Sequence, residues 1–137
     1  ARAESAPSPA AAAAPLPVAL AAGRVSRRDR FLFHKTTRRD PYDRARREHP
    51  DVFDVLLANE EDELTEFTIG NLVLELEGER VTPARGCGLL AGVFRAGLLA
   101  SGEVRERAVP RSELARATRL WLVNAVRGWV PVRLVHP

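Results

Sequence analysis

Lysine is nearly absent. Of 21 basic residues, 20 are arginine, and Lys35 alone is lysine. A strong arginine bias is most simply a bias of the coding genome. Under it, a surviving lysine hints at a task arginine cannot perform: an amine can lose its proton and form a Schiff base, whereas a guanidinium stays charged. For one residue taken alone, a chance surface survivor is the plainer reading. Cysteine is as scarce. With Cys87 the sole thiol, an internal disulfide framework is excluded, which fits a reducing cytosol. Methionine is missing even at the first position, and the chain opens in linker-like sequence; a fragment of something longer is expected. Long apolar runs are missing too. None approaches the roughly 20 residues that span a bilayer, and the Ala-rich start lacks the ordered layout of a secretory signal. No membrane role is expected.

The formal charge of +3 is modest for a sequence pI near 9.9. Arginines are scattered among acids, as in Arg44-Ala45-Arg46-Arg47-Glu48. No stripe alternates arginine with aromatics, as single-strand binding requires. A mixed, solvated surface is therefore expected, with neither a nucleic-acid footprint nor a metal site.

What is present is one domain's worth of chain: 137 residues, 45% of them apolar. Residues 1–28 are rich in Ala, Pro and Ser and read as a linker or tail, with Val18-Ala19-Leu20 a short extended piece at most. Folding signals begin at Phe31-Leu32-Phe33. Asp40-Pro41 starts a short charged helix over Tyr42–Glu48. Val52–Leu57 reads as a buried strand, and Leu64–Leu76 as strand broken near Gly70-Asn71. Glu77-Gly78-Glu79 is a hairpin turn before a strand at Arg80-Val81-Thr82. Cys87-Gly88 opens a helix over about Leu89–Ala100, stopped by Ser101-Gly102. Strand-like alternation over Val104–Val109, a helix begun by Pro110 and Ser112, and strands at Leu120–Val123 and Trp129–Val135 complete an α+β domain.

Three features suggest chemistry together more than singly. Lys35 is the first. Glu66 is the second, since a carboxylate inside a β-rich, buried segment is costly unless a cation or hydrogen bonds match it; a solvent-facing Glu66 is the bland alternative. A protonated pyridine ring is one matching cation, because such a cofactor's electron sink works best with its ring nitrogen protonated. The third is Gly88-Leu89-Leu90-Ala91-Gly92-Val93-Phe94-Arg95, a glycine-bearing turn into a helix. Open backbone N–H groups there make a natural phosphate site, although glycines before helices are common for packing alone. The set has the parts that hold pyridoxal phosphate, but its spacing does not by itself select that cofactor.

Several ordered motifs then resemble one family. Phe33-His34-Lys35-Thr36-Thr37-Arg38-Arg39 with Tyr42 looks like the lysine segment of 4-amino-4-deoxychorismate lyases. It looks more closely like the form fused behind aminodeoxychorismate synthase component I. The likeness continues through Phe53-Asp54-Val55-Leu56-Leu57, Asn59-Glu60, Leu64-Thr65-Glu66-Phe67-Thr68-Ile69-Gly70-Asn71-Leu72, Thr82-Pro83, Gly88 to Arg95, and Val123-Asn124-Ala125-Val126-Arg127-Gly128-Trp129. It covers roughly residues 29–137 in the family's order.

The resemblance implies the class IV aminotransferase-like group, pyridoxal 5′-phosphate fold type IV. Residues 29–137 would form its larger C-terminal domain, a mixed or antiparallel sheet with flanking helices, without the small N-terminal domain. It implies that Lys35 forms the Schiff base and moves protons, and that Glu66 holds the pyridine nitrogen protonated. The amides of Val93 and Phe94 would bind the phosphate, with Asn124 near it. Arg38, Arg39 and Tyr42 would shape the substrate pocket or pack the lysine segment. The implied reaction removes pyruvate from aminodeoxychorismate, leaving 4-aminobenzoate for folate synthesis. The setting would be a cytoplasmic homodimer, with a synthase module upstream. Branched-chain and D-amino-acid aminotransferases share the cofactor residues. A non-catalytic module of the synthase is the alternative from another class.

Overall fold

The alternation in the strands becomes the two faces of one sheet. A computed structural model describes residues 14–26 and 40–135. Its strands are β1 (Leu16–Leu20), β2 (Asp54–Ala58), β3 (Leu64–Phe67), β4 (Asn71–Leu76), β5 (Glu79–Pro83), β6 (Arg105–Arg107), β7 (Arg119–Asn124) and β8 (Gly128–Leu134). Two helices accompany them, α1 (Asp40–Glu48) and α2 (Val93–Ser101), with 3-10 turns at Arg85–Cys87 and Arg111–Arg116. The strand order is β3-β2-β1-β8-β7-β4-β5-β6, and β3 also pairs with β4 through Glu66 and Asn71. That extra rung joins the first six strands of the series into a ring. The sheet is mixed: β1 runs parallel to β2 and β8, and β5 to β6, while the remaining pairs are antiparallel.

Period-2 alternation sorts the side chains. Leu72, Leu74 and Leu76 of β4 join Val18, Leu56, Phe67, Leu122 and Val132 in the main core. Their neighbours point the other way. Val73, Trp121 and Val123 pack under Leu98 of α2, and Val55 and Leu57 pack under Tyr42 and Ala45 of α1. Beside α2, Trp121 and Trp129 meet edge to face at 5.2 Å, with the Arg80 guanidinium over both rings. The expected α+β fold, a mixed sheet with flanking helices, is thus present.

Some expected boundaries move. Within the segment read as linker, Leu16–Leu20 is instead an interior strand flanked by β2 and β8. Its burial comes from partners distant in the chain, which local composition does not reveal. The helix expected from Leu89 begins at Val93, because Gly88 adopts a left-handed φ of 98° that ends the preceding 3-10 turn. The helix expected after Pro110 is only a 3-10 turn, and the strand within Val104–Val109 is confined to Arg105–Arg107. The hairpin turn stands as expected: Glu77 and Gly78 have φ of 51° and 81°, the pair of positive values that a tight two-residue turn requires.

Candidate functional site

One end of the sheet gathers most of the chemistry-bearing residues. Glu66 lies on β3 beside an irregularity in register. Ala58 pairs with Leu64 and Leu56 pairs with Phe67, so Leu57 alone faces both Thr65 and Glu66. The extra residue lets Leu64 and Phe67 both enter the core and turns the Glu66 carboxylate away from it, a re-aiming that bulges commonly perform. Thr65 donates its hydroxyl to the Leu57 carbonyl at 3.0 Å, closing the bulge.

Glu66 is 4% exposed, so its carboxylate needs partners. The Tyr42 hydroxyl donates to Oε2 at 2.5 Å, and the Leu90 N–H donates to Oε1 at 3.3 Å. Tyr42 is itself buried on α1, packed with Ala21, Ala45, Val55 and Leu57. Asp54, on β2, holds α1 and the β3–β4 turn in place. Its Oδ1 accepts from the Val55 N–H at 2.8 Å, the Thr68 hydroxyl at 2.5 Å and the Arg46 guanidinium at 2.9 Å. Its Oδ2 accepts from the Ile69 N–H at 3.1 Å.

The β3–β4 turn lies hard against β7. A Cβ on Gly70 would stand 2.6 Å from Leu122 Cδ2 and 2.8 Å from the Val123 carbonyl. Asn124, at the end of β7, donates to the Ile69 carbonyl at 2.9 Å and accepts from the Val126 and Arg127 N–H groups at 3.1 and 2.8 Å. The β7–β8 turn and the β3–β4 turn are therefore tied together.

Beyond Leu90 the chain enters α2. Gly92 is the extended N-cap, with no side-chain cap and no acidic residue in the first turn. The first amides of a helix have no partner within it, so the N–H groups of Val93 and Phe94 form an end suited to an anion. Val93 is 83% exposed. Asn71, at the start of β4, bridges this loop: Nδ2 donates to the Leu90 carbonyl at 3.0 Å, and Oδ1 accepts from the Gly92 N–H at 3.2 Å. Further along α2, the buried Arg95 reaches the Pro83 carbonyl and pairs with Glu106. The Arg85 N–H and the Arg95 guanidinium hold the Glu106 carboxyl below its ordinary value of 4.5.

Of the residues singled out in the sequence, Glu66, Tyr42, Val93, Phe94 and Asn124 thus lie on segments linked by hydrogen bonds or backbone pairing. Lys35, Arg38 and Arg39 lie outside the described residues. Asn71 and Asp54 were not singled out. Their signal was faint: two polar residues at the starts of strands, with partners far along the chain. Among the described residues no group of His, Cys, Asp or Glu is arranged to hold a metal, and no helix is long and apolar enough to cross a membrane.

The donor set suits a ligand with a cationic ring at one end and an anion at the other, since a buried carboxylate and an open helix start are bridged by a single loop. Comparisons with known proteins agree with that chemistry. The family model described as amino-transferase class IV matches residues 2–135. A "Probable branched-chain-amino-acid aminotransferase" of Thermotoga maritima is 34% identical over 97 residues, which are 67% of this chain and 36% of that protein. A crystal structure of a "Putative amino-acid aminotransferase" from Mesorhizobium loti superposes with a TM-score of 0.82 at 38% identity, covering 89% of this chain and 60% of that one. The 4-amino-4-deoxychorismate lyase of Pseudomonas aeruginosa superposes with a TM-score of 0.69 at 26% identity, covering 88% of this chain and 47% of that one. The chain therefore spans between about a third and three fifths of the length of these relatives. With the family model matching nearly end to end and the fold in agreement, the chain belongs to the class IV aminotransferase family, whose members depend on pyridoxal phosphate.

Proposed function

We propose that this chain is the cofactor-carrying part of a pyridoxal-phosphate lyase that releases pyruvate from 4-amino-4-deoxychorismate and leaves 4-aminobenzoate. The observation that carries the cofactor reading is the Glu66 carboxylate, buried, met by donors from Tyr42 and Leu90 and joined through one loop to the open start of α2. When bound, pyridoxal phosphate supplies an electron sink for the carbon that loses a proton.

Each residue then has a defined task. The Glu66 carboxylate, held by Tyr42 and Leu90, would face the pyridine nitrogen and favour its protonated form. The amides of Val93 and Phe94 hold a phosphate at the positive end of α2. Asn124 braces the two turns beside that end. Lys35 would hold the cofactor through its Nζ and, once released, take the proton from the amine-bearing carbon of the substrate. Loss of the enolpyruvyl ether as pyruvate, its oxygen keeping the bonding pair and gaining a proton, would leave an aromatic ring.

The lyase rests on the Phe33-His34-Lys35-Thr36-Thr37-Arg38 run and the Arg127-Gly128-Trp129 ending. Higher identity to two aminotransferases than to the lyase, 34% and 38% against 26%, favours a second reading. In that one the same residues move the proton without breaking a carbon–oxygen bond, and an amino group passes to a 2-oxo acid. A cytoplasmic homodimer with an upstream synthase module fits the lyase reading, and sedimentation of the natural full-length protein tests the dimer.

The decisive experiment mixes that full-length protein with pyridoxal phosphate and then, separately, with aminodeoxychorismate or with a branched-chain amino acid plus 2-oxoglutarate. Pyruvate and 4-aminobenzoate in equal amounts support the lyase. Glutamate formation supports the aminotransferase. Borohydride that fixes no cofactor to the wild type, or fixes it equally to Lys35→Ala, would overturn both.

A further inference from the structure

Asn71 is buried, 5% exposed, and both ends of its amide are engaged by one loop. It donates to the Leu90 carbonyl and accepts from the Gly92 N–H. Leu90 is the residue whose N–H meets the Glu66 carboxylate, and Gly92 is the N-cap of α2. The same side chain therefore touches the residue that sets the carboxylate and the residue that sets the helix start. Its backbone is fixed independently, paired with Glu66 on one side and Val123 on the other. Gly92 is shaped to this contact: a Cβ there would stand 2.9 Å from Asn71 Oδ1, the one non-neighbouring contact within 4 Å among the described residues. The Gly92 φ of −75° is open to any residue, so the need for glycine comes from Asn71 and not from the backbone.

We infer that Asn71 is a positioning residue that fixes the spacing between Glu66 and the amide end of α2, so that ring and phosphate of one ligand are met at once. This rests on the pyridoxal-phosphate reading above. The consequence is specific. A ligand with both ends gains from correct spacing, whereas pyridoxal, which lacks the phosphate, does not. Contacts that each hold part of one ligand add fully only when their geometry is fixed beforehand.

The test measures binding of pyridoxal phosphate and of pyridoxal to the full-length protein by absorbance titration, in the wild type, Asn71→Ala, Gly92→Ala and the double variant. Asn71→Ala is expected to weaken pyridoxal phosphate by about tenfold and pyridoxal by less than about threefold. Gly92→Ala is expected to do the same alone and to add nothing in the Asn71→Ala background, where its Cβ meets no oxygen. Equal losses for both ligands, or additive losses in the double variant, would assign Asn71 a purely structural role and overturn the inference. So would retention of the wild-type preference in both single variants. If Asn71→Ala fails to fold, the selective loss in Gly92→Ala alone decides. A wild type that binds the two ligands equally would instead overturn the phosphate reading of α2, and the role of Asn71 with it.

Discussion

Tyr42 and Glu66 share one short, buried hydrogen bond, and their substitutions separate stability from chemistry. Tyr42→Phe removes this donor from the Glu66 carboxylate. Bonds to charged groups contribute about 1.5–3 kcal/mol, so urea unfolding should show a loss of that size. Glu66→Gln keeps the shape and one acceptor for Tyr42 but turns an NH2 donor toward the Leu90 N–H, so a loss of about 1–3 kcal/mol is expected. Under the proposed function its turnover should fall by about 100-fold or more, because the ring nitrogen loses its anionic partner; a steady-state assay decides. Glu66 was legible because a carboxylate in a run of Thr, Ile, Val and Phe demands an explanation. Asn71 and Asp54 were not. Asparagine and aspartate are ordinary residues at strand ends, and what distinguishes these two is partners on other elements.

The tightest element-to-element contact at the site is the β3–β4 turn against β7. Gly70→Ala would drive a methyl group into Leu122 and the Val123 carbonyl. Backbone cannot yield as a side-chain tip can, so a loss of about 1–3 kcal/mol is expected by thermal or urea unfolding. A second element contact responds to pH. Glu106 of β6 joins the Arg85 N–H to Arg95 of α2. Its carboxyl is held below 4.5 in the folded chain. The stability it contributes is therefore present above the unfolded value and is lost as pH falls through the folded one. Glu106→Gln should cost about 1 kcal/mol at neutral pH, discounted because the side chain is 40% exposed. It should also lose less than the wild type between neutrality and acid; urea titrations at several pH values check both. At this scale the strands from β2 onward were legible from apolar runs, β-branched composition and alternation. The start of α2 was misplaced by four residues because Gly88 and Gly92 shape a loop there through tertiary contact.

At the scale of the whole molecule, β1 decides whether the ring of strands closes. Its Val18 is fully buried, pairing with Asp54 and Leu134 on either side. Val18→Asp places an unpaired carboxylate in that core, and a cost of several kcal/mol is expected. Circular dichroism should show loss of the cooperative transition; a chain in which residues 16–20 were only linker would melt as before. This is the part of the fold the sequence hid most completely. Ala and Pro dominate the neighbourhood, and the strand's two partners lie at distant points of the chain.

That placement also fixes an order of assembly. The neighbours of β1 are both parallel to it, so no tight turn can deliver either one. Leu16 finds Val132 across nearly the whole described chain, and closing so long a loop is slow. On a ribosome, one edge of β1 stays unsatisfied until Gly128–Leu134 has cleared the exit tunnel. The nascent chain therefore carries an open strand edge until β8 arrives as the piece that seals it.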